Sequence, residues 1–207
     1  MFMTNGSRAF KALIIAVAVL APAHAGLSAP QSLRSMITGA VTSQPIGHYE
    51  FCKALPDECS IRSRPSVPPK VTEHGWNVIR DINASVNHAI IPMTDAEIYG
   101  REEVWAYPVD LGDCEDFVLL KRKKLMEAGF NAADLLITVV RKPDGEGHAV
   151  LTVRTQSGDF VLDNLNDDVK LWTDTRYAFL KRQSSTDTGR WVTIENGTSD
   201  VLVGALQ

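Results

Sequence analysis

Past its first 25 residues the chain has no apolar run near the roughly 20 residues that a membrane-spanning helix requires, so no transmembrane segment is expected in the mature protein. A strong basic patch is also missing. With a formal net charge of −4, nucleic acid and anionic membrane surfaces are not expected partners. There are no internal repeats, no low-complexity tracts, and no nucleotide, haem or flavin signature. Cysteine is scarce, with three in 207 residues. None of them shows C-x2-C spacing, which argues against a zinc site built on all three.

The apolar run that does exist lies at the start. Arg8 and Lys11 precede an apolar stretch over residues 12–21, and Ala23-His24-Ala25 forms a small-x-small site. This order predicts a secretory signal peptide over residues 1–25, with an exported (periplasmic or secreted) mature chain beginning near Gly26. Loss of Arg8 and Lys11 takes the net charge from −4 to −6. The remaining length fits one domain with one sizeable core. Its expected organisation is an extended lead-in over 26–69, a main domain over 70–197 and a tail over 198–207.

Export gives the cysteines their meaning. Cys52 and Cys59 lie close together in a Pro-containing stretch and predict a disulfide. Cys114 is then left over, and an odd thiol in an exported protein points to reactivity. It lies in Leu111-Gly112-Asp113-Cys114-Glu115-Asp116-Phe117, where a loop becomes a helix. A helix N-terminus favours thiolate.

Apolar residues from Val71 to Ile90 recur at three- and four-residue steps and predict a helix over about 70–91, with Pro92 at or beyond its end. Residues 92–113 read as irregular. Asp113 is the expected N-cap of a second helix that ends near Ala128, with Gly129 as its stop and Phe117, Leu120, Leu125 and Ala128 facing inward. Lys121-Arg122-Lys123-Lys124 reads as a solvated face. The period then changes to two. Strands are expected over 134–141, 148–155 and 160–164, separated by the turns Pro143–Gly147 and Gln156–Asp159. Residues 177–180 and 190–194 are further strand candidates. The fold class is therefore α+β, with a cysteine-bearing helix packed on an antiparallel meander.

His148 opens one strand and Asp163 closes the next. In an antiparallel pair joined by a short turn these positions are neighbours, which suits a carboxylate orienting an imidazole. Cys114, His148 and Asp163 together make the set that thiol hydrolases and acyltransferases use. His48, His74 and His88 show no partner and read as surface or loop residues.

Gly112-Asp113-Cys114-Glu115-Asp116, Lys121 and Leu125 in the helix ending at Gly129, Gly147-His148-Ala149-Val150-Leu151 and Val161-Leu162-Asp163-Asn164 together resemble the bacterial transglutaminase-like cysteine proteinases. Pro45-Ile46-Gly47-His48, Cys52, Cys59, Tyr99-Gly100 and Trp105 add to the likeness, which spans about residues 45–165. The resemblance implies a papain-like, transglutaminase-like core. In it Cys114 is the nucleophile, His148 the general base and acid, and Asp163 the orienter. It implies peptide-bond cleavage in a cell-envelope or surface protein. Exported LapG-type members clip a large adhesin, which ends biofilm attachment, and are restrained by an inner-membrane c-di-GMP receptor.

Three acids flank the thiol. Capping and the helix dipole account for one or two of them, but three carboxylates also raise a thiol pKa. LapG-type members bind calcium through such acids. The resemblance therefore implies a Ca2+ held by Asp113, Glu115 and Asp116. Trp105 is read either as an indole donor walling the cleft or as a core aromatic. Two functional alternatives remain: an acyltransferase that resolves the same acyl-enzyme with an amine, and a non-catalytic binding module.

Overall fold

The computed structural model describes residues 1–2 and 34–197. Residues 3–25 of the expected signal peptide, and the whole expected tail, lie outside the described residues. Among those described, no helix is long and apolar enough to cross a membrane.

The chain runs β1 (Thr38–Thr42), α1 (Ile46–Ala54), α2 (Pro56–Cys59), α3 (Glu73–Ala89), β2 (Ile91–Pro92), α4 (Asp95–Tyr99), β3 (Leu111–Gly112) and α5 (Cys114–Glu127). It continues through β4 (Leu135–Arg141), β5 (Gly147–Thr155), β6 (Gly158–Asp163), β7 (Asn166–Leu171), β8 (Ala178–Ser184) and β9 (Asp187–Ile194). The larger sheet has the order β1-β9-β8-β4-β5-β6-β7, and every pair in it is antiparallel. Strands β4 to β6 form the expected meander, and β7 (Asn166–Leu171) extends it by a strand that was not expected. The chain then crosses to the other side of β4 and adds β8 and β9, while β1 closes that edge.

The segment read as an extended lead-in carries β1, α1 and α2 instead. Its turn-prone composition hid them. β1 pairs with β9, more than a hundred residues later, so its partner is invisible in any local window. The Cys52–Cys59 disulfide is formed and links α1 to α2. Residues 92–113 also hold structure. Thr94 and Glu97 make a reciprocal capping box that starts α4, and Gly100 closes it at φ 69°.

Helix α3 starts where Thr72 accepts a hydrogen bond from the Gly75 N–H at 3.1 Å. It buries Ile79 and Val86, and Trp76 meets Phe160 edge-on. Helix α5 buries Phe117, Val118, Leu119 and Leu125. Leu120 is only half-buried and Ala128 is exposed, so the inward face is rotated slightly from the expected stripe. The main core joins these helices to Leu135, Ile137, Leu151, Val153 and Leu162 of the sheet. A second cluster, including Val140, Val150, Val161 and Phe179, lies on further sheet residues.

The charged run of α5 departs most from expectation. Lys123 and Lys124 are exposed, but Lys121 and Arg122 are buried. Arg122 Nε donates to the Leu135 carbonyl at 3.1 Å, and its guanidinium lies 3.6 Å from Glu58. A helix in the middle of a fold has no wholly solvated face, so two members of the run point inward. His48 is likewise buried rather than exposed. Its Nδ1 accepts from Trp191 Nε1 at 3.2 Å, and its ring packs edge-on against Trp105. Burial, helped by the Arg122 charge, lowers its pKa to about 4, so it sits in the core as a neutral imidazole. His88 is at the surface as expected, but it is paired with Asp167 at 3.0 Å.

Candidate active site

Cys114 is the first residue of α5, and Asp113 occupies the N-cap position without a side-chain capping bond. The turn before the helix is tight. A Cβ on Gly112 would stand 2.8 Å from the Asp116 Cβ and 3.1 Å from that of Pro108. Gly112→Ala is therefore expected to push Asp116 aside and to lower stability by about 1–3 kcal/mol. A thermal melt unchanged from the parent would show that the turn has slack.

His148 and Asp163 are brought together. The β5–β6 register ends at Leu151↔Leu162, so Asp163 stands one step further, diagonal to His148. His148 Nε2 lies 2.9 Å from Asp163 Oδ1, and both residues are buried. Asp163 also accepts from Tyr177 Oη at 2.6 Å and from the Leu165 N–H at 3.0 Å. Burial pushes its carboxyl pKa up, but the bonds from His148, Tyr177 and Leu165 outweigh burial and hold it below the ordinary value. Using Nε2 on the carboxylate leaves Nδ1 as the nitrogen available to a thiol.

The Cys114 thiol donates to Glu115 Oε2 at 2.9 Å. Burial, then the Glu115 charge, drives its pKa far above the usual thiol range, whereas the Ala149 N–H, next to His148, pulls the other way. The helix dipole alone does not prevail here, because carboxylates crowd the helix start.

Those carboxylates are arranged differently from the expected set. Asp95, Asp113 and Asp116 bring one oxygen each within 4.8 Å of one another. Glu115 is turned to the thiol instead. Asp95 belongs to α4, in the stretch read as irregular. Its Oδ2 accepts from the Val104 N–H, and Asp116 Oδ1 accepts from the Ala106 N–H at 2.8 Å. The other oxygens of Asp95 and Asp116, and Asp113 Oδ1, are buried without partners among the described residues. Burial, then Glu115, raises Asp113 to about 8. Burial, with Asp113 and Asp95, raises Asp116 to about 7. Unpaired buried oxygens from three acids suit a hard cation that takes oxygen ligands. The Thr94-x-x-Glu97 capping box was the available sequence sign that an ordered helix, with Asp95 in its first turn, stood there.

Trp105 walls a cavity of about 560 Å³ together with Glu115, His148, Ala149 and Lys181. Its indole Nε1–H is buried and unpartnered among the described residues. Gly47 lies flat under the ring, and a Cβ there would overlap it. Both sequence readings of Trp105 thus hold in part: it is a core aromatic, and it walls the cleft.

A cysteine at a helix start beside a histidine–carboxylate pair, with a cleft above, is the layout of a thiol-dependent hydrolase or transferase. The chain belongs to the bacterial transglutaminase-like cysteine proteinases (BTLCP), whose family profile matches residues 38–199. It is a transglutaminase-like cysteine protease with the expected α+β core. Among solved structures, calcium-bound LapG of Legionella pneumophila is similar at 22% identity and a TM-score of 0.48, over 64% of this chain and 80% of that one. LapG of the same organism matches at 18% identity and 0.48, over 78% and 85%. Its EGTA-treated form matches at 20% and 0.48, over 74% and 80%. No curated protein matches the chain.

Proposed function

We propose that the protein is an exported cysteine peptidase that cuts a cell-envelope or surface protein with Cys114, His148 and Asp163. The observation that carries this reading is the 2.9 Å bond between His148 Nε2 and Asp163 Oδ1, at a strand end adjoining the helix-borne thiol. Asp163 fixes the imidazole and supports its protonated form. His148 takes the thiol proton through Nδ1. The thiolate attacks the scissile carbonyl, and the Cys114–acyl bond replaces the peptide bond. His148 then gives its proton to the departing amine. Water, deprotonated by the same imidazole, hydrolyses the thioester and restores the thiol. The backbone N–H of Cys114 and the indole N–H of Trp105 serve the oxyanion. Trp105→Phe keeps an aromatic ring, though a smaller one, and loses the donor. We expect its kcat to fall about 100-fold with KM little changed, and an unaltered kcat would remove Trp105 from this role.

Asp95, Asp113 and Asp116 would hold a calcium ion, while Glu115 accepts from the thiol. A bound calcium would supply positive charge that offsets the carboxylates next to Cys114. With that charge in place, Glu115 would compete less with His148 for the thiol proton. The family resemblance supports periplasmic export, an adhesin-like substrate with an effect on biofilm attachment, and restraint by an inner-membrane c-di-GMP receptor.

Mature protein incubated with envelope proteins and read by intact mass tests the reading. Two fragments whose masses sum to the substrate plus one water indicate hydrolysis. A single chain heavier by an added amine would instead identify an acyltransferase. If neither occurs and Cys114 alkylates no faster than a free thiol, the site is non-catalytic.

A further inference from the structure

Lys181 stands in the cleft without a partner of opposite charge. It lines the cavity that also holds Trp105, Glu115, His148 and Ala149. Its Nζ donates to the Ser43 carbonyl at 2.9 Å and lies 5.9 Å from the Trp191 ring centroid. Among the described residues no carboxylate comes within ion-pair reach of it. Burial lowers its pKa, and no neighbouring acid raises it again. An ammonium carries three donors, so those not used on Ser43 remain for a further acceptor.

A bulge in β8 aims the side chain into the cleft. Thr138 pairs with Arg182 and Val139 with Lys181, but Val140 pairs with Phe179, which leaves Leu180 as an extra residue. In a regular strand residues 179 and 181 would share a face. Here Phe179 enters the second core cluster with Val140, while Lys181 comes out on the cleft side with Val139.

The register also sets a distance. Val139 pairs with Lys181 on one side and with Ala149 on the other. Lys181, Val139 and Ala149 therefore form one row across β8, β4 and β5, and all three line the cavity. Two strand spacings put the Lys181 backbone about 10 Å from that of Ala149, whose N–H acts on the Cys114 thiol. Charge is uneven along this floor. Glu115 stands at the thiol end, 2.9 Å from the sulfur, and Lys181 at the other. An extended peptide advances about 3.3 Å per residue, so a substrate laid along the row meets Lys181 about three residues from its scissile bond. A carboxylate arriving there gains a charge-assisted hydrogen bond.

We infer that Lys181 is a specificity-determining residue: it takes an aspartate or glutamate side chain of the protein substrate, about two to four residues from the cut and on one fixed side. This rests on the reading of Cys114, His148 and Asp163 as the working set.

The test starts from an envelope protein whose cut site has been found by intact mass. Versions of that protein carry Glu, Gln or Lys, one position at a time, over the four residues on each side of the cut. The mature parent should cut the Glu version about tenfold better than the Gln version in kcat/KM, mainly through KM, at one such position. Lys181→Gln keeps a donor for Ser43 but loses the charge, and its Glu-to-Gln ratio should fall to about one. Lys181→Arg should keep the preference. Lys181→Glu should reverse it, with the Lys version ahead; if that variant does not fold, Lys181→Gln decides. A parent ratio near one at every position overturns the proposal and leaves the peptidase reading intact. So does a ratio that survives in Lys181→Gln, because an equal fall for both versions is what loss of a strut under Ser43 would give. A parent that cuts no envelope protein, like Cys114→Ala, overturns the peptidase reading and this proposal with it.

Discussion

Cys114→Ala is expected to abolish fragment formation from an envelope substrate, a loss of at least about 10⁴-fold, while the melting temperature stays close to that of the parent. The residue is half-buried at the helix start, and its thiol donates only to its neighbour Glu115 among the described residues. Deleting it therefore opens little space. His148→Ala should be comparably inactive. Asp163→Asn should retain more activity, because the imidazole stays present although its orienting charge is gone. The decisive assay is intact-mass analysis of one substrate with each variant. Fragments of unchanged mass and yield from Cys114→Ala would place the chemistry elsewhere in the chain.

The second large effect concerns calcium and pH together. In the absence of a cation, the folded state holds Asp113 near 8 and Asp116 near 7, against ordinary carboxyl values near 4. A raised folded pKa means that folding favours the protonated acid. The resulting stability is fully present below the ordinary carboxyl pKa and is lost as pH rises through about 7 to 8. Without calcium, the protein should therefore lose on the order of 2–4 kcal/mol between about pH 4 and pH 8. Calcium binds the ionised carboxylates, so the stabilisation it gives should grow over that same window. Melting curves at pH 5 and pH 8, each with Ca2+ and with EGTA, read this directly. Calorimetry adds a residue-level arm: Asp95→Ala should weaken Ca2+ binding at least about 100-fold, since it removes one of three charged ligands. Equal affinity in Asp95→Ala would exclude the Asp95–Asp113–Asp116 cradle. A calcium increment that shrinks as pH rises would contradict the electrostatic account.

The sequence made the centre of the fold readable and left its margins hidden. Helix α5 and strands β4 to β6 carry local signals: an apolar period, turn residues and a glycine stop at Gly129 with φ 93°. Cys114, His148 and Asp163 could be picked out because each sits at the end of such an element. Asp95 could not, since its distance from Cys114 along the chain is closed only by tertiary packing. β7 carries no local signal because Asp167, Asp168 and Lys170 break the apolar alternation, and the strand lies at the sheet edge. Nothing local in the sequence marks Lys121, Arg122 or His48 as buried, because polar residues usually lie at the surface. Their burial depends on what α3, α2 and β9 place over them, which no local window contains.

The capping-box helix that delivers Asp95 also limits how the site can travel. Residues 112–117 look like a transferable cassette, a short loop with the nucleophile and its acids in one stretch. Moved onto another helix start, that cassette would bring Asp113 and Asp116 without their third carboxylate, and would leave two reluctant acids beside a thiol they suppress. Reuse of this chemistry on a new scaffold therefore calls for a two-segment transplant, with α4 carried along at a fixed distance from the cysteine helix.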